Sequence, residues 1–262
     1  MSEGEAALGR RLEAVAGDPR QRPLLVALDF DGTLAPLQDD PARSAIPEEG
    51  VAALRRLSAV PEVTLALVSG RSMADLHALA SVPVGTVLIG SHGAERARLT
   101  TFGLDRDVVR LTDEQADLLA SLGARAAVVA RGRDGVWVES KPTAVVVHSR
   151  LAPRDVAARA RDEALALGAR SGVDVMEGKD VVELSVLHAD KGAALTALRA
   201  QLRAAVVLYA GDDVTDEHAF AALGDDDVTV KVGDGDSSAA YRVRGPSELI
   251  GVLTAFADAL GA

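Results

Sequence analysis

The sequence predicts an α/β protein in which a parallel sheet, covered by helices on both faces, is interrupted by a smaller α+β unit. Three observations predict it. Short, unbroken apolar runs alternate with amphipathic stretches in the first third of the chain and again in the last, which is the rhythm of strands buried on both faces between helices. In the middle the rhythm changes, and β-rich runs follow one another with helices set apart. Finally, 262 residues suit one domain plus a smaller one, and 48% hydrophobic residues readily build a core. With aromatics at 3%, that core must be packed with Ala, Val and Leu.

Residues 1–20 read as a short amphipathic helix ending at Gly17-Asp18-Pro19. Leu24-Leu25-Val26-Ala27-Leu28 is a strand without a polar face. Pro47-Glu48 opens a helix to about Val60, with proline in the first turn and acids at the positive end. A second buried strand over 63–68 stops at Ser69-Gly70, a helix over 72–79 follows, and 86–89 is a third strand. Residues 136–140 and 143–149 flank Lys141-Pro142 as a hairpin. A helix over 153–167 leads to strands over 173–176 and 181–185. The α/β rhythm then returns as a helix over 190–203, a strand over 206–209, a helix over 214–223, a strand over 228–232 and a closing helix over 246–260. Residues 1–103 and 186–262 therefore form the main domain, and 104–185 the insertion.

Composition excludes several function classes. A net charge of -11 argues against a nucleic-acid partner, because that binding leans on clustered Lys and Arg. It does not exclude a small phosphate ligand, since a few local cations and a metal outweigh distant, screened charges. The absence of cysteine removes disulfide and thiol chemistry and fits a reducing cytosol. Glu3 and Glu5 with no apolar run beside them are not a secretory signal. No apolar run approaches the ~20 residues that span a bilayer. Arginine occurs 24 times and lysine only at 141, 179, 191 and 231, so a retained lysine marks a site needing a compact point charge.

Ligands of a parallel α/β sheet bind outside the carboxyl ends of its strands. After the first strand comes Asp29-Phe30-Asp31-Gly32-Thr33-Leu34, and after the second Ser69-Gly70-Arg71. After the strand ending at Tyr209 comes Gly211-Asp212-Asp213-Val214-Thr215-Asp216, while Lys191 starts the preceding helix. Asp29 and Asp31 alternate onto one side of an extended strand end, where like charges need a cation between them. Asp212 and Asp213 add negative charge, and Asp216 lies one turn further at a helix start. Carboxylates at adjacent strand ends without His or Cys describe a hard-cation site for Mg2+. Ser69 and Lys191 supply a hydroxyl and a cation for a phosphate, and free N–H groups near Gly32 and Gly70 add to them.

The order DxDGT, SGR, Lys, GDDxTD resembles the haloacid-dehalogenase superfamily of phosphotransferases, from about Leu24 to Leu253. That resemblance implies a Rossmann-like core with an inserted cap domain. It also implies Asp29 as nucleophile and Asp31 as general acid/base, with Mg2+ held by Asp29, the Asp31 carbonyl and Asp212, and Asp213 or Asp216 directly or one step behind. Splitting one displacement into two suits a carboxylate nucleophile, and one proton carrier serves both halves.

Within the insertion and its approach, Gly90-Ser91-His92-Gly93-Ala94-Glu95, the hairpin Glu139-x-Lys141 with His148-x-Arg150, and Gly178-Lys179-x-Val181-x-Glu183 resemble the trehalose-6-phosphate phosphatases, as does the opening from Leu28 to Pro41. Ser185-Val186 departs from the family's usual Arg-Pro at that place. Carboxylates mixed with cations on a sheet face suit a polyhydroxylated ligand, since each hydroxyl both donates and accepts. The resemblance thus implies substrate contacts from Ser69, Gly70, Arg71, His92, Glu139, Lys141, His148, Arg150, Lys179 and Glu183. It implies hydrolysis of trehalose 6-phosphate in the cytoplasm, with a trehalose-phosphate synthase as functional neighbour. The alternatives are another sugar phosphate, such as glucosylglycerol or sucrose phosphate, and a catalytically silent sensor. His77, His188 and His218 fall outside the motifs and read as ordinary surface or packing residues.

Overall fold

The computed structural model describes residues 3–108, 110–169, 172–178, 180–187 and 190–262. It divides into two compact units, Met1–Asp107 with Ala189–Ala262, and Val108–His188.

The first unit opens with α1 (Glu3–Gly17), β1 (Leu24–Leu28), α2 (Glu48–Ala59), β2 (Val63–Val68), α3 (Met73–Leu79) and β3 (Val87–Gly90). Two further strands follow, β4 (Glu95–Thr100) and β5 (Gly103–Arg106). The second unit runs α4 (Asp113–Ala130), β6 (Trp137–Ser140), β7 (Ala144–His148), α5 (Arg154–Gly168), β8 (Asp174–Gly178) and β9 (Val181–Ser185). The chain then returns to the first unit with α6 (Lys191–Leu202), β10 (Val206–Gly211), α7 (Val214–Ala222), β11 (Val228–Val232), β12 (Tyr241–Val243) and α8 (Pro246–Ala259).

The first unit's sheet has the order β12-β11-β10-β1-β2-β3-β4-β5. From β12 to β3 every pairing is parallel. All five residues of β1 are buried, and their alternation feeds two separate cores. Leu24, Val26 and Leu28 join a cluster with Leu12 of α1, Leu54 of α2 and Phe256 of α8. Leu25 and Ala27 join a second with Leu195 of α6 and Phe220 of α7. An apolar run without polar breaks is what such two-sided burial requires.

Two features depart from the expectation. Past β3 the sheet turns antiparallel, with β3 pairing β4 and β4 pairing β5. The junction consequently falls at 107/108, not at 103/104, because β5 belongs to the core sheet. At the other junction the division is at 188/189, not 185/186. The second departure is α4, an 18-residue helix that the alternation does not announce. Its start carries a capping box, in which the Thr112 side chain accepts from Gln115 N and the Gln115 side chain from Thr112 N.

The second unit is an antiparallel sheet of order β6-β7-β9-β8. Val145, Val147, Val182 and Leu184 point into a core with Leu122 and Ala126 of α4 and Ala160 and Ala164 of α5. The pleat therefore assigns Trp137, Glu139, His148 and Glu183 to the opposite face. Among the described residues no helix is long and apolar enough to cross a membrane.

Candidate active site

β1 lies between β10 and β2. From β1 the chain builds the sheet outward one way through β2 and β3, and later the other way through β10, β11 and β12. This reversal of strand order is where parallel α/β sheets bind ligands. Asp29 follows β1, Ser69 follows β2 and Asp212 follows β10, so the three predicted strand ends meet there.

Asp29 is 4% exposed. Its amide donates to Ala210 O at 2.9 Å, which locks it to the end of the neighbouring strand. Lys191, the first residue of α6, is 2% exposed. Its Nζ donates to Asp29 Oδ1 at 2.8 Å and to Asp216 Oδ1 at 2.7 Å. Burial pushes the Asp29 carboxyl well above its ordinary value; Lys191 opposes this, and the charges of Asp216 and Asp212 add to it. Burial also opposes the charge on Lys191, but Asp29 and Asp216 outweigh it and hold the ammonium above the ordinary lysine range. A buried cation between two carboxylates stays charged.

Asp216 is fully buried. Besides Lys191 it accepts from the Tyr209 hydroxyl at 2.6 Å and from Asp213 N at 3.0 Å. Asp213 caps α7, accepting from Thr215 N at 2.8 Å and Thr215 Oγ1 at 2.7 Å. Burial works against the Asp213 charge, but Lys191 and these hydrogen bonds win and lower its pKa. Asp212 accepts from Thr33 Oγ1 at 3.2 Å, and burial raises its pKa. Lys231 of β11 donates to the Asp212 main-chain oxygen.

Asp29, Asp212 and Asp216 each offer a carboxylate oxygen within 4.8 Å of the others, an arrangement able to hold a cation. The Asp213 carboxylate lies outside this trio, and so does that of Asp31, for which the resemblance implies the carbonyl as ligand. Arg71 grips Asp31 with two bonds, Nε to Oδ2 at 2.5 Å and Nη2 to Oδ1 at 2.7 Å. Arg71 is itself anchored on Pro41 O at 2.8 Å and Ser44 Oγ at 2.9 Å, and Asp31 raises its pKa.

Asp29, Asp31, Ser69, Gly70, Arg71, His92 and Lys191 line one cavity of about 430 Å³. Ser69 is 2% exposed and its Oγ accepts from Arg71 N at 3.2 Å. His92 enters through a backbone bond from its N to Ser69 O at 3.0 Å and a positive φ of 54°. Two glycines permit the crowding. A Cβ at Gly70 would strike the His92 ring, and one at Gly32, where φ is 75°, would strike the Asp212 carboxylate.

On the second unit, Lys141 Nζ meets Glu183 Oε2 at 2.7 Å, and His148 Nε2 and Glu139 Oε2 share a hydrogen bond at 2.8 Å. Arg150 places its guanidinium over Trp137. Lys179 and His188 lie outside the described residues. His77 and His218 are exposed surface residues. Sequence reasoning assigns no role to Tyr209, Lys231 or Trp137. Tyr209 carries the one hydroxyl in an apolar strand, and Lys231 is one of four lysines; those are the signals that mark them.

Residues 27–247 match the model of the trehalose-phosphatase family. The chain belongs to the trehalose-phosphatase family. Its core is that of the haloacid-dehalogenase superfamily. The chain is 31% identical over 240 residues to the trehalose-6-phosphate phosphatase of Escherichia coli strain K12, covering 88% of this chain and 86% of that one. It is 35% identical over 254 residues to the trehalose-phosphate phosphatase of Mycobacterium marinum, covering 90% of this chain. The chain spans 63% of that mycobacterial relative's length. A solved trehalose-6-phosphate phosphatase related protein superposes with a TM-score of 0.64 at 26% identity, covering 87% of this chain and 95% of its own.

Proposed function

We propose that this chain hydrolyses trehalose 6-phosphate to trehalose and phosphate through a phosphorylated Asp29. The observation that carries the reading is the buried Asp29–Lys191 pair beside Asp212 at the sheet's switch point, in a chain of this family. An Asp29 oxygen attacks phosphorus as the P–O bond to the sugar breaks, and Asp31 gives its proton to the departing sugar oxygen. Asp31 then takes a proton from water, whose oxygen attacks phosphorus and releases Asp29. Arg71 grips the Asp31 carboxylate in the free protein; the incoming phosphate competes for that guanidinium, and the released carboxylate takes from solvent the proton that it gives to the sugar oxygen. Lys191 and Ser69 orient the phosphate.

The donors of the acidic trio are all oxygens, which fits a hard cation such as Mg2+. Asp216 already accepts three hydrogen bonds, so Asp29 and Asp212 are the side chains that would hold it, with the Asp31 carbonyl added by the family resemblance. Bound there, Mg2+ would neutralise charge on the transferring phosphoryl group. Phosphate release from a panel of sugar phosphates tests this directly. Trehalose 6-phosphate should be hydrolysed fastest, activity should vanish in excess chelator, and added Mg2+ should restore it. Undiminished turnover in chelator would remove the metal; preference for sucrose or glucosylglycerol phosphate would change the substrate.

The inserted unit acts as the cap, its polar sheet face taking the sugar through Glu139, Lys141, His148, Arg150, Lys179 and Glu183. Truncating Lys141 or Glu183 to Ala should remove charged hydrogen bonds worth roughly 1.5–3 kcal/mol each, about tenfold to over a hundredfold in kcat/KM for trehalose 6-phosphate. Hydrolysis of a nitrophenyl phosphate, which has no second sugar, should hardly respond. Parallel losses on both substrates would mean that the pair serves only stability. A cytoplasmic location and a synthase that supplies the substrate complete the reading, and a net charge of -11 speaks against nucleic acid as a partner.

A further inference from the structure

Trp137 is the chain's single tryptophan. Its neighbour Val138 packs against the helical core of the second unit, so alternation along β6 puts Trp137 and Glu139 on the other face. Trp137 pairs with His148 across the ladder, and the two rings stack at 4.7 Å with 9° between their planes. The same imidazole is tied to Glu139 at 2.8 Å. The guanidinium carbon of Arg150 lies 5.3 Å from the indole centroid. Among the described residues Arg150 makes no ion pair, so the indole is what orients it. An exposed arginine normally loses rotamer entropy when it binds. Resting the planar guanidinium on an aromatic ring removes part of that cost while leaving its N–H edge free to donate.

We propose that Trp137 is a positioning residue for substrate recognition, holding the Arg150 guanidinium and the His148 imidazole in register for sugar hydroxyls on this face. The proposal rests on the reading that this face takes the sugar. It adds to that reading a residue whose own side chain need not touch the ligand. The aromatic ring, not a hydrogen-bonding group, is the working part. Phenylalanine should therefore substitute where valine cannot.

The test measures kcat and KM for trehalose 6-phosphate in Trp137→Val, Trp137→Phe, Arg150→Ala and Trp137→Val/Arg150→Ala, with the melting temperature of each. Losing the ring contacts should raise KM about two- to thirtyfold in Trp137→Val, with the loss falling on KM and little of it on kcat. Trp137→Phe should recover most of it. The double variant should raise KM by clearly less than the product of the two single effects, because part of the Trp137 effect runs through Arg150 and only the His148 part remains. In the wild-type protein, trehalose 6-phosphate should shift the emission of this lone indole, a readout that requires no variant to fold. An unchanged KM in Trp137→Val beside a raised KM in Arg150→Ala would overturn the role of Trp137 alone. Unchanged KM in both, with no emission shift, would overturn the sugar-face reading itself. A fall in kcat and melting temperature without a KM effect would make Trp137 a packing residue and overturn the proposal.

Discussion

Asp29→Asn is expected to abolish turnover of trehalose 6-phosphate, by about a thousandfold or more, while the protein stays folded. The size follows from the role, since removing a covalent nucleophile removes the step itself and the remaining groups only bind. The fold should survive for a reason visible in the site. Asparagine is nearly isosteric, so the cavity keeps its shape, and Lys191 retains Asp216 at 2.7 Å as its counter-charge. Burial disfavours the charge on Asp29, so the amide also relieves a desolvation penalty. The melting temperature of the metal-free variant should therefore equal or exceed that of the wild type. Phosphate release and calorimetry on the same preparation, checked for deamidation, decide the matter. Retention of a tenth of the activity would move the nucleophile elsewhere.

The parts of the fold legible in the sequence are those where one physical demand fixes the pattern. β1 reads correctly because burial on both faces permits no polar residue from Leu24 to Leu28. The strand ends are legible as a candidate site because carboxylates there have no structural reason to cluster. β4 is the opposite case. It is a mostly half-buried strand, Glu95-Arg96-Ala97-Arg98-Leu99-Thr100, whose charges hide its alternation. β12 has only three residues, too few for a period to show. α4 has weak amphipathicity but a readable cap at Thr112 and Gln115, so its signal is present at its start and not along its length.

Within the site, pairings are harder to foresee than positions. That Asp31 lines the same cavity as Asp29 follows from its spacing. That Arg71 grips it depends on the loop carrying Pro41 and Ser44, which anchors the guanidinium. Such a contact joins three segments, and each alone has other partners available. The same holds for Tyr209, whose hydroxyl finds Asp216 only once β10 and α7 are packed. Trp137 is legible as an aromatic on a strand, but its contacts with His148 and Arg150 need the hairpin register.

Lys191→Met carries the largest expected effect on stability, and its pH dependence separates charge from packing. Methionine preserves most of the buried volume but removes the cation between Asp29 and Asp216, both within 2.8 Å of Nζ. Breaking a buried pair by deleting one partner costs about 3–5 kcal/mol, and activity should fall with it because the phosphate loses its cation. The sign with pH follows from Asp29, whose folded pKa burial already raises. Without Lys191 it rises further. A carboxyl with a raised folded pKa carries no penalty below its unfolded pKa of about 3.9, where both states are protonated. The penalty grows above that value and is complete once pH exceeds the folded pKa. Wild type and variant carry the same Asp29 penalty wherever both folded carboxyls are protonated, so the gap in melting temperature should be widest above the raised folded pKa of Asp29 and narrow as pH falls through it. A gap that stays constant across this range would show that Lys191 contributes by filling space, and its place as the charge partner of Asp29 would have to be given up.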